Sequence, residues 1–434
     1  MDCDIIVIGA GAAGLTAARE LSRSGRRVIV LEGRDRIGGR IWTNAEPGFT
    51  RPVEAGAEFI HGKMENTLKL AEEYGLEVTR VKGDLWHFHQ GEFKKTHEFI
   101  EYDGLLEKYL EKLDTDISVA EFLNGMPDDE KHREMKISVR GFVQGYDAAD
   151  LEHASALAFK YEWQGTDDTQ YRIDGGHEKL VTALADDCRR NGGRIVLSTR
   201  VRKISWGPGR VEVFPDDITT NEKSYTARQA VITLPLGLLR LPEEHRDAVL
   251  FDPPLNGIRD TVASMGFGSV IKFSLEFRDA FWKEEPKNHE HGSFKDLGFL
   301  LTDESIPVWW TQYPSGSALL TGWLGGPSAE LKTGKEELLA RALASLKNIF
   351  ESRRPDRSDL SAWQVTNWYD DPFSHGAYSY ATPGASALKA QLRQPVQDTL
   401  FFCGEACYSG QETGMVEGAI GSGLETAAAI LLRN

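Results

Sequence analysis

The order of apolar and polar positions near the N-terminus predicts a strand, a helix and a second strand in close succession. An apolar run over residues 5–8 predicts the first strand, and a helical stretch follows to Leu21. A second apolar run over residues 28–31 ends at Glu32. Strand, helix and strand in this order form one βαβ unit, the building block of a nucleotide-binding domain.

Three glycines lie where the first strand meets the helix. Gly9 permits a tight turn, Gly11 lets the backbone approach a pyrophosphate, and Gly14 lets the helix pack closely on the strand. The pyrophosphate would lie at the helix N-terminus, where free N–H groups and a partial positive charge favour an anion. Glu32 follows Gly14 by 18 residues, where a carboxylate accepts hydrogen bonds from ribose hydroxyls. This unit predicts a dinucleotide site and leaves NAD and FAD open.

The remaining hydrophobic pattern predicts that the nucleotide domain is completed by distant segments. Strands are expected over residues 194–198, 201–204, 210–214, 225–234 and 400–403, and a closing helix over 419–432. Residues 65–185 are predicted to be mainly helical, with helices over 67–74, 105–113 and 177–188. Residues 265–330 are predicted to be mainly strands, over 269–274, 297–301 and 318–324, before an amphipathic helix over 335–350.

These elements predict an α/β class, α+β overall, with two domains. The first is a Rossmann-like nucleotide-binding domain built from residues 1–80, 186–262 and 388–434. The second is an inserted substrate domain of mixed sheet plus helices, built from residues 81–185 and 263–387. A chain of 434 residues exceeds what a single hydrophobic core usually holds, which agrees with this division.

Composition and charge narrow the classes of partner and compartment. The formal net charge of −16 argues against nucleic acid and favours cationic small molecules. The four cysteines have no metal-ligand spacing, so no metal is expected, and buried thiols fit a reducing, cytoplasmic compartment: Cys3, Cys188, Cys403 and Cys407. The first strand begins too early for a signal peptide, and no run of about 18 apolar residues predicts a membrane span.

Residues 32–41 indicate which of the two cofactors, NAD or FAD, the site binds. They read Glu-Gly-Arg-Asp-Arg-Ile-Gly-Gly-Arg-Ile and resemble the segment that follows this glutamate in FAD enzymes of the amine oxidase superfamily. The resemblance implies FAD, a domain of the glutathione-reductase/amine oxidase type, and FAD contacts at Arg34, Gly39 and Arg40. An arginine fork suits a diphosphate. Taken alone, either arginine would also fit a solubilising surface position.

The C-terminal region carries a second signature. Residues 400–423 contain Cys-Gly-Glu-Ala and then Thr-Gly-Met-Val-Glu-Gly-Ala, which resembles the C-terminal motif of flavin amine oxidases. The resemblance implies that Glu405 binds the ribityl or diphosphate part of FAD and that a helix beginning near Met415 faces the N1/O2 edge of the flavin. A helix N-terminus stabilises negative charge there. The same resemblance adds four cofactor contacts: Ala13, Val201, Gly404 and Val416. Without the motif, an exposed acid at a strand end would explain Glu405.

Lys272 is the first candidate catalytic residue. It lies in Gly-Ser-Val-Ile-Lys-Phe-Ser, and Phe277 to Trp282 follow downstream. Both segments resemble the unit that carries the lysine of this family, which holds a water near flavin N5. The resemblance implies that Lys272 handles a proton or positions oxygen. An isolated lysine in a strand would more simply lie on the solvent face.

Residues 366–384 provide candidate aromatic walls. They resemble the version of the family motif found in polyamine oxidases and histone demethylases, which implies that Trp368 and Tyr378 lie beside the flavin. Monoamine oxidases have a cysteine bonded to the flavin where this chain has Ala377, so FAD is expected to be noncovalent. Core packing is the alternative role for each aromatic residue.

Residues 54–62 bear on the substrate. They resemble animal spermine and polyamine oxidases, which have a histidine where His61 stands. Glu58 and Phe59 match positions that touch the flavin through their backbone. L-amino-acid oxidases place a carboxylate-binding arginine where this chain has Phe59. His61 is either a structural donor or an acid or base.

The expectation is a FAD-dependent amine oxidase with Lys272, Tyr378, Trp368 and His61 at the reaction centre. A small amine would pass a hydride to flavin N5, the imine would hydrolyse to an aldehyde, and O2 would be reduced to H2O2. Polyamines are favoured over monoamines, with Asp167 and Asp168 as possible ammonium anchors. An L-amino-acid oxidase or desaturase of the superfamily, and a flavin-bearing interaction protein, are the alternatives. No nucleic-acid or membrane partner is expected, and the chain is expected to be a monomer or homodimer.

Overall fold

Five parallel strands form the sheet that carries the glycine-rich turn. The computed structural model describes residues 1–165, 169–216, 224–284, 293–351 and 353–433. The strands of this sheet follow one another in space as Arg194–Val196, Val28–Leu31, Ile5–Ile8, Gln229–Ile232 and Leu400–Phe402. Every residue of the three central strands is buried, because helices cover the sheet. The predicted βαβ unit is therefore confirmed at the centre of the sheet.

The glycines act as close-packing points in this unit. A Cβ atom at Gly14 would lie 2.1 Å from the carbonyl oxygen of Gly9, so only glycine lets helix Ala12–Arg23 begin there. Gly9 itself has a φ of +107°, which other residues rarely adopt. The helix then packs against helices Val416–Leu431 and Glu178–Arg190. The first and last helices of the chain thus share one core.

The segment predicted as one strand over residues 225–234 is divided between two sheets. Tyr225–Ala227 joins a four-stranded sheet, whereas Gln229–Ile232 joins the parallel sheet. Hydrophobic pattern did not reveal the change of sheet because both pieces are apolar. The four-stranded sheet has the order Tyr225–Ala227, Arg210–Pro215, Val201–Gly207 and Leu250–Asp252.

A seven-stranded sheet carries the predicted lysine. Its order is Leu360–Asn367, Val270–Phe277, Leu319–Gly325, Val308–Thr311, Leu297–Thr302, Asp84–His89 and Glu92–Thr96. All eight residues of Val270–Phe277 are buried, and alternate ones (Ile271, Phe273, Leu275 and Phe277) share an apolar core with helix Lys335–Ile349. The expectation that residues 65–185 are mainly helical was wrong for residues 78–96. Those residues form strands because Asp84–His89 pairs with Leu297–Thr302, a partner some two hundred residues downstream.

Short sheets and the other helices complete the described chain. The small sheets are Ile60–His61 with Gln170–Ile173 and Val78–Arg80, Gly266–Phe267 with Ser379–Tyr380, and Thr43–Asn44 with Val53–Glu54. The remaining α-helices are Glu65–Glu73, Asp103–Leu110, Val119–Asn124, Glu130–Gly145, Ala156–Gly165, Leu236–Leu239, Asn256–Ala263 and Ala385–Leu392. Short 3₁₀ turns are Phe281–Glu284, Phe294–Asp296, Gly326–Ala329, Arg357–Asp359 and Glu405–Cys407. Within the described ranges, no helix combines the length and apolar character that a bilayer crossing requires.

The parallel sheet draws its strands from the start, the middle and the end of the chain. All five strands fall inside the three segments expected to form the nucleotide-binding domain. The seven-stranded sheet falls inside the two segments expected to form the substrate domain. The exact division of the chain into these domains stays a prediction.

Candidate active site

One cavity of about 1750 Å³ connects the two sheets and collects the residues predicted from the sequence. Gly14 alone of the predicted residues does not line it, because this glycine packs against the Gly9 carbonyl instead. The cavity is larger than a usual single-ligand pocket, so it has room for a dinucleotide and a substrate. The predicted residues that line it are Gly9, Gly11, Ala13, Glu32, Arg34, Gly39, Arg40, Glu58, Phe59, His61, Val201, Lys272, Trp368, Tyr378, Gly404, Glu405, Met415 and Val416.

The end of the cavity beside the parallel sheet fits a dinucleotide. Helix Ala12–Arg23 begins at Gly11 without a side-chain cap or an acidic residue in its first turn, which leaves its free N–H groups for an anion. Glu32 accepts hydrogen bonds from the backbone N–H of Ala10 at 2.7 Å and of Arg34 at 2.8 Å. Burial raises the pKa of Glu32, and these two N–H groups oppose that rise.

Arg34 lines the cavity, but its guanidinium is already engaged by the protein. It donates two hydrogen bonds to Asp371, at 3.0 and 2.6 Å, and lies 4.9 Å from the ring centre of Phe373. A two-bond arginine–carboxylate pair fixes geometry strongly. Arg34 therefore links the aromatic segment 366–384 to the end of the cavity beside the parallel sheet. A cofactor contact through the Arg34 side chain stays a prediction.

Glu405 is a buried member of a small polar cluster, which rules out the exposed strand-end acid. It accepts hydrogen bonds from Arg40 at 2.9 Å and from the Gly414 N–H at 3.1 Å, and the Ser379 hydroxyl also donates to it. Arg40 donates in addition to the Ala377 carbonyl at 2.5 Å. The remaining guanidinium N–H groups of Arg40 are free to meet a diphosphate in the cavity.

A second helix N-terminus reaches the cavity at Met415. Helix Val416–Leu431 has no side-chain cap, and its only first-turn acid turns away. That acid, Glu417, accepts four hydrogen bonds from Asn66 and Thr67 at 2.7–2.9 Å. The free N–H groups at this helix start can therefore face an electron-rich part of a cofactor.

Lys272 is buried inside the site and not on the solvent face, with 1% of its surface exposed. Its ammonium donates to a Glu58 carboxylate oxygen at 2.7 Å and to the Gly56 carbonyl at 3.1 Å. The ring of Trp310 lies 5.3 Å from the ammonium, within cation–π range. An ammonium has three N–H donors, so one remains for a group inside the cavity.

The Glu58 carboxylate is held by the protein on both oxygens. Besides Lys272, it accepts from Arg172 at 3.1 Å, from Trp310 at 3.0 Å and from Gln312 at 3.0 Å. Burial alone would raise the pKa of Glu58, but the Lys272 and Arg172 cations outweigh it and lower the pKa to about 2. The sequence had indicated only a backbone role for Glu58. The lysine–glutamate contact could not be foreseen because it joins positions 214 residues apart.

Two aromatic side chains form walls next to this lysine. Trp368 donates from its indole nitrogen to the Ala55 carbonyl at 3.1 Å, and Tyr378 donates from its hydroxyl to the Tyr146 carbonyl at 2.6 Å. Both rings belong to one apolar cluster that includes Ala377. Their polar ends are satisfied, so the rings present flat apolar faces to the cavity.

His61 also faces the cavity, beside Tyr146 and Phe59. Its ring lies edge-on to Tyr146 at 5.1 Å and 5.9 Å from the Phe59 ring. Burial, with a smaller contribution from nearby His177, lowers the pKa of His61 to about 4. His61 is therefore neutral at pH 7, with one ring nitrogen able to donate and the other able to accept.

A pair of carboxyl groups in the cavity was missed by the sequence analysis. Asp147 follows helix Glu130–Gly145, Glu162 lies in helix Ala156–Gly165, and the two side chains are hydrogen-bonded to each other beside Tyr378. Burial raises the pKa of both groups, that of Glu162 to about 7. Single acids on helices look solvated in a sequence, so nothing marked them. The anchors proposed instead, at positions 167 and 168, lie outside the described residues.

One group of side chains in the described chain has metal-ligand chemistry. His245, Asp247 and His375 place their donor atoms within 4.8 Å of one another. Asp247 already accepts from His375 at 2.9 Å and is ion-paired with Arg200. Both oxygens of the Asp247 carboxylate are thus engaged by protein groups, and the cluster forms an ion-pair network at the cavity edge.

The parallel sheet, the glycine-rich turn and the cavity define a dinucleotide-binding fold whose cavity has room for a substrate beside the cofactor. The sequence model of the family described as "Flavin containing amine oxidoreductase" matches residues 12–431. The chain belongs to this family, and its cofactor is noncovalently bound FAD.

Relatives and solved structures agree with this assignment. "Lysine-specific histone demethylase 1 homolog 2" of Oryza sativa subsp. japonica is 29% identical across 98% of this chain and 57% of its own length. "Polyamine oxidase 4" of the same plant is 29% identical across 98% of this chain and 87% of its own length. The chain thus spans little more than half of the demethylase homologue. Cyclohexylamine oxidase from Brevibacterium oxydans IH-35A has a TM-score of 0.79 at 24% identity, over 100% of this chain and 99% of that one. A putrescine oxidase with redesigned cofactor binding has a TM-score of 0.80 at 22% identity, over 100% of this chain and 99% of that one.

Proposed function

We propose that this protein oxidises amines, with the cavity between the parallel and seven-stranded sheets as its active site. The observation that carries the proposal is the convergence of Lys272, Trp368 and Tyr378 on the cavity that both uncapped helix N-termini also reach. Binding of FAD alone would need the helix ends but neither the buried ammonium nor the aromatic walls. This convergence argues against a flavin-bearing interaction protein without turnover.

The protein groups supply positioning, desolvation and hydrogen bonds. FAD would supply the acceptor for the hydride of the amine, with O2 as the final acceptor of the two electrons and H2O2 as its product. Trp368 and Tyr378 exclude water and restrict the amine to one plane. Lys272 contributes a positive charge and one free N–H, and neutral His61 donates or accepts at its ring nitrogens. The imine product then hydrolyses to an aldehyde and an amine or ammonia.

The carboxyl pair supports a di- or polyamine as the substrate. A monoamine needs one neutral nitrogen at the reaction centre, whereas Asp147 and Glu162 offer a place for a second, charged nitrogen. Acidic side chains on the cavity wall would attract the same cations: Glu98, Glu101, Glu107 and Glu134. Long-range attraction of this kind weakens with salt, so kcat/KM for a polycation should fall as ionic strength rises.

The cationic groups of the cavity argue against an amino acid substrate. A substrate carboxylate would need an arginine with no anion beside it. The four arginines that line the cavity in the described ranges each have a carboxylate partner: Arg34 with Asp371, Arg40 with Glu405, Arg200 with Asp247 and Arg393 with Glu425. A cytoplasmic location and a monomeric or homodimeric state remain proposals beside this one.

Anaerobic mixing of the holoenzyme with matched amines tests the proposal. Putrescine, spermidine and spermine should bleach the flavin spectrum, butylamine and phenylethylamine more slowly, and L-leucine not at all. Bleaching by the monoamines alone would remove the polyamine assignment and keep amine oxidation. Bleaching only by a methylated-lysine peptide would replace small amines with a protein substrate. Failure of every amine to reduce the flavin would contradict the proposed activity.

Variants of the carboxyl pair test the substrate class directly. Glu162→Gln should lower kcat/KM for putrescine roughly 10- to 150-fold, the value of a lost hydrogen bond to a charged group, and change that for butylamine about threefold or less. Glu72→Gln, an exposed glutamate on helix Glu65–Glu73, is the matched control and should change neither. Equal losses for both amines in Glu162→Gln would show that the pair does not hold a second ammonium.

A further inference from the structure

The contact between Glu58 and Lys272 has a consequence for how the lysine acts. We infer that Glu58 is a positioning residue that keeps Lys272 as a fixed cation and hydrogen-bond donor at the cavity, so that Lys272 does not act as a base. The inference rests on the proposed function for the reaction that Lys272 serves. The Lys272–Glu58 contact itself is independent of that function.

Geometry fixes the lysine at both ends. The backbone of Lys272 is paired with Trp323 on one side and Thr366 on the other, in the middle of the seven-stranded sheet. Its ammonium donates to the Glu58 carboxylate at 2.7 Å and to the Gly56 carbonyl at 3.1 Å, so two residues that are two positions apart supply both acceptors. A side chain held in this way has one free N–H, and that N–H has one available direction, into the cavity.

Glu58 is in turn unable to move away from the lysine. Its other oxygen accepts from Arg172, Trp310 and Gln312, and the group is buried. Four donors on one carboxylate favour its ionised form over a wide pH range, as its pKa of about 2 shows. A negative charge is therefore present beside Lys272 at neutral pH.

The local charges make the lysine sensitive to this one anion. Glu58 faces two cations, Lys272 and Arg172, and the buried cluster carries one net positive charge. Arg51 and Glu54 lie near the Arg172 side of the cluster. Without the Glu58 charge, Lys272 would share a buried site with the Arg172 cation alone. Like charge and burial both disfavour an ammonium, so the lysine would then lose its proton readily.

Glu58→Gln tests this role because it keeps the size and an acceptor and removes only the charge. Holoenzyme is treated with formaldehyde and cyanoborohydride at pH 6 to 10, and dimethylation of Lys272 is measured by peptide mass spectrometry. Only a neutral amine reacts, so the pH of half-modification reports the charge of the lysine. We expect it to fall by about two pH units in Glu58→Gln. The pH profile of flavin reduction should acquire a new ionisation over the same range.

Two further variants separate charge from packing. Gln312→Met removes a neutral donor to the Glu58 oxygen that Lys272 does not contact, and it should leave the half-modification pH of Lys272 unchanged. Glu58→Asp keeps the charge and should stay within about half a pH unit of the wild type. FAD content and thermal melting are recorded for each variant. Should Glu58→Gln fail to fold, the double variant Glu58→Gln with Arg172→Gln takes its place, because it removes the Glu58 charge together with its Arg172 partner charge. Glu58→Asp then still shows whether a negative charge at this position keeps the half-modification pH of Lys272 near that of the wild type.

The outcomes are decisive for the inference and distinct from those for the proposed function. A wild-type half-modification pH in Glu58→Gln would overturn the inference, as would a shift in Glu58→Asp as large as in Glu58→Gln. The labelling needs no amine turnover. Suppose that Glu58→Gln shifts the half-modification pH of Lys272, but none of the amines reduces the flavin of the wild-type protein. That result would contradict the proposed function and leave the role of Glu58 intact.

Discussion

Arg40 and Glu405 stand 365 residues apart in the chain, yet the Arg40 guanidinium donates to the Glu405 carboxylate at 2.9 Å. The glutamate is buried and the arginine side chain is 29% exposed, at the wall of the cavity. Arg40 belongs to the glycine-rich N-terminal segment, and Glu405 follows the last strand of the parallel sheet. This ion pair brings the two sequence signatures for FAD to one place.

Glu405→Gln should therefore weaken cofactor retention. The change leaves Arg40 beside a neutral amide and removes a charged acceptor from Ser379 and Gly414. Because Arg40 is partly exposed, we expect a loss of about 2 kcal/mol in holoenzyme stability, less than for a fully buried pair. Thermal melting and FAD content after dialysis measure it. Glu243→Gln, whose exposed partner Arg259 lies 2.8 Å away and outside the cavity lining, is the control. Unchanged FAD content in Glu405→Gln would separate this pair from cofactor binding.

Denaturation should release intact FAD into solution. Ala377 stands where monoamine oxidases are expected to have the flavin-bonded cysteine, and this alanine is buried and has no nucleophile. Burial raises the pKa of the Cys403 thiol to about 11, so this cysteine is a poor nucleophile as well. Acid precipitation followed by absorbance of the supernatant measures the released cofactor. Yellow colour in the washed precipitate would contradict noncovalent binding.

Lys272→Met should keep FAD bound and slow flavin reduction or reoxidation roughly 10- to 10⁴-fold, because the charge and free N–H are lost at the reaction centre. Stopped-flow measurement of the two half-reactions shows which step depends on the lysine. Lys95→Met, an exposed lysine on the same seven-stranded sheet, is the matched control and should change neither rate. Wild-type rates in both half-reactions of Lys272→Met would return Lys272 to a packing role.

Glu162→Gln should stabilise the protein at alkaline pH. The pKa of Glu162 rises from 4.5 to about 7 on folding, so the folded state binds more protons than the unfolded state between these values. Stability contributed by this group is therefore present below pH 4.5 and is lost as the pH rises through 7. A neutral amide avoids that loss, and the variant should gain up to about 3 kcal/mol at pH 8.5 and nothing near pH 4. Urea unfolding at both pH values measures the difference. A gain that is the same at both would assign the effect to packing and not to ionisation.

Local patterns in the chain were sufficient for the elements that depend on near neighbours. The strand Ile5–Ile8, the glycine turn and the strand Val28–Leu31 follow from backbone freedom and hydrophobic runs within thirty residues. The strand that carries Lys272 was also predicted, although the structure extends it to Phe277. Strand Asp84–His89 was not, because its stability comes from pairing with Leu297–Thr302 and not from its own residues.

The candidate site divides in the same way. The sequence by itself was sufficient to predict which residue types would meet FAD, because glycines, helix starts and an arginine fork suit a diphosphate wherever the chain places them. Tertiary structure alone decided the state of the ionisable groups. Glu58 is ionised because Lys272 and Arg172 surround it, and the pKa of Glu162 is raised to about 7 because its carboxyl group is buried. Ionisation depends on burial and on charges within a few ångströms, and folding brings these together from positions that no local pattern connects.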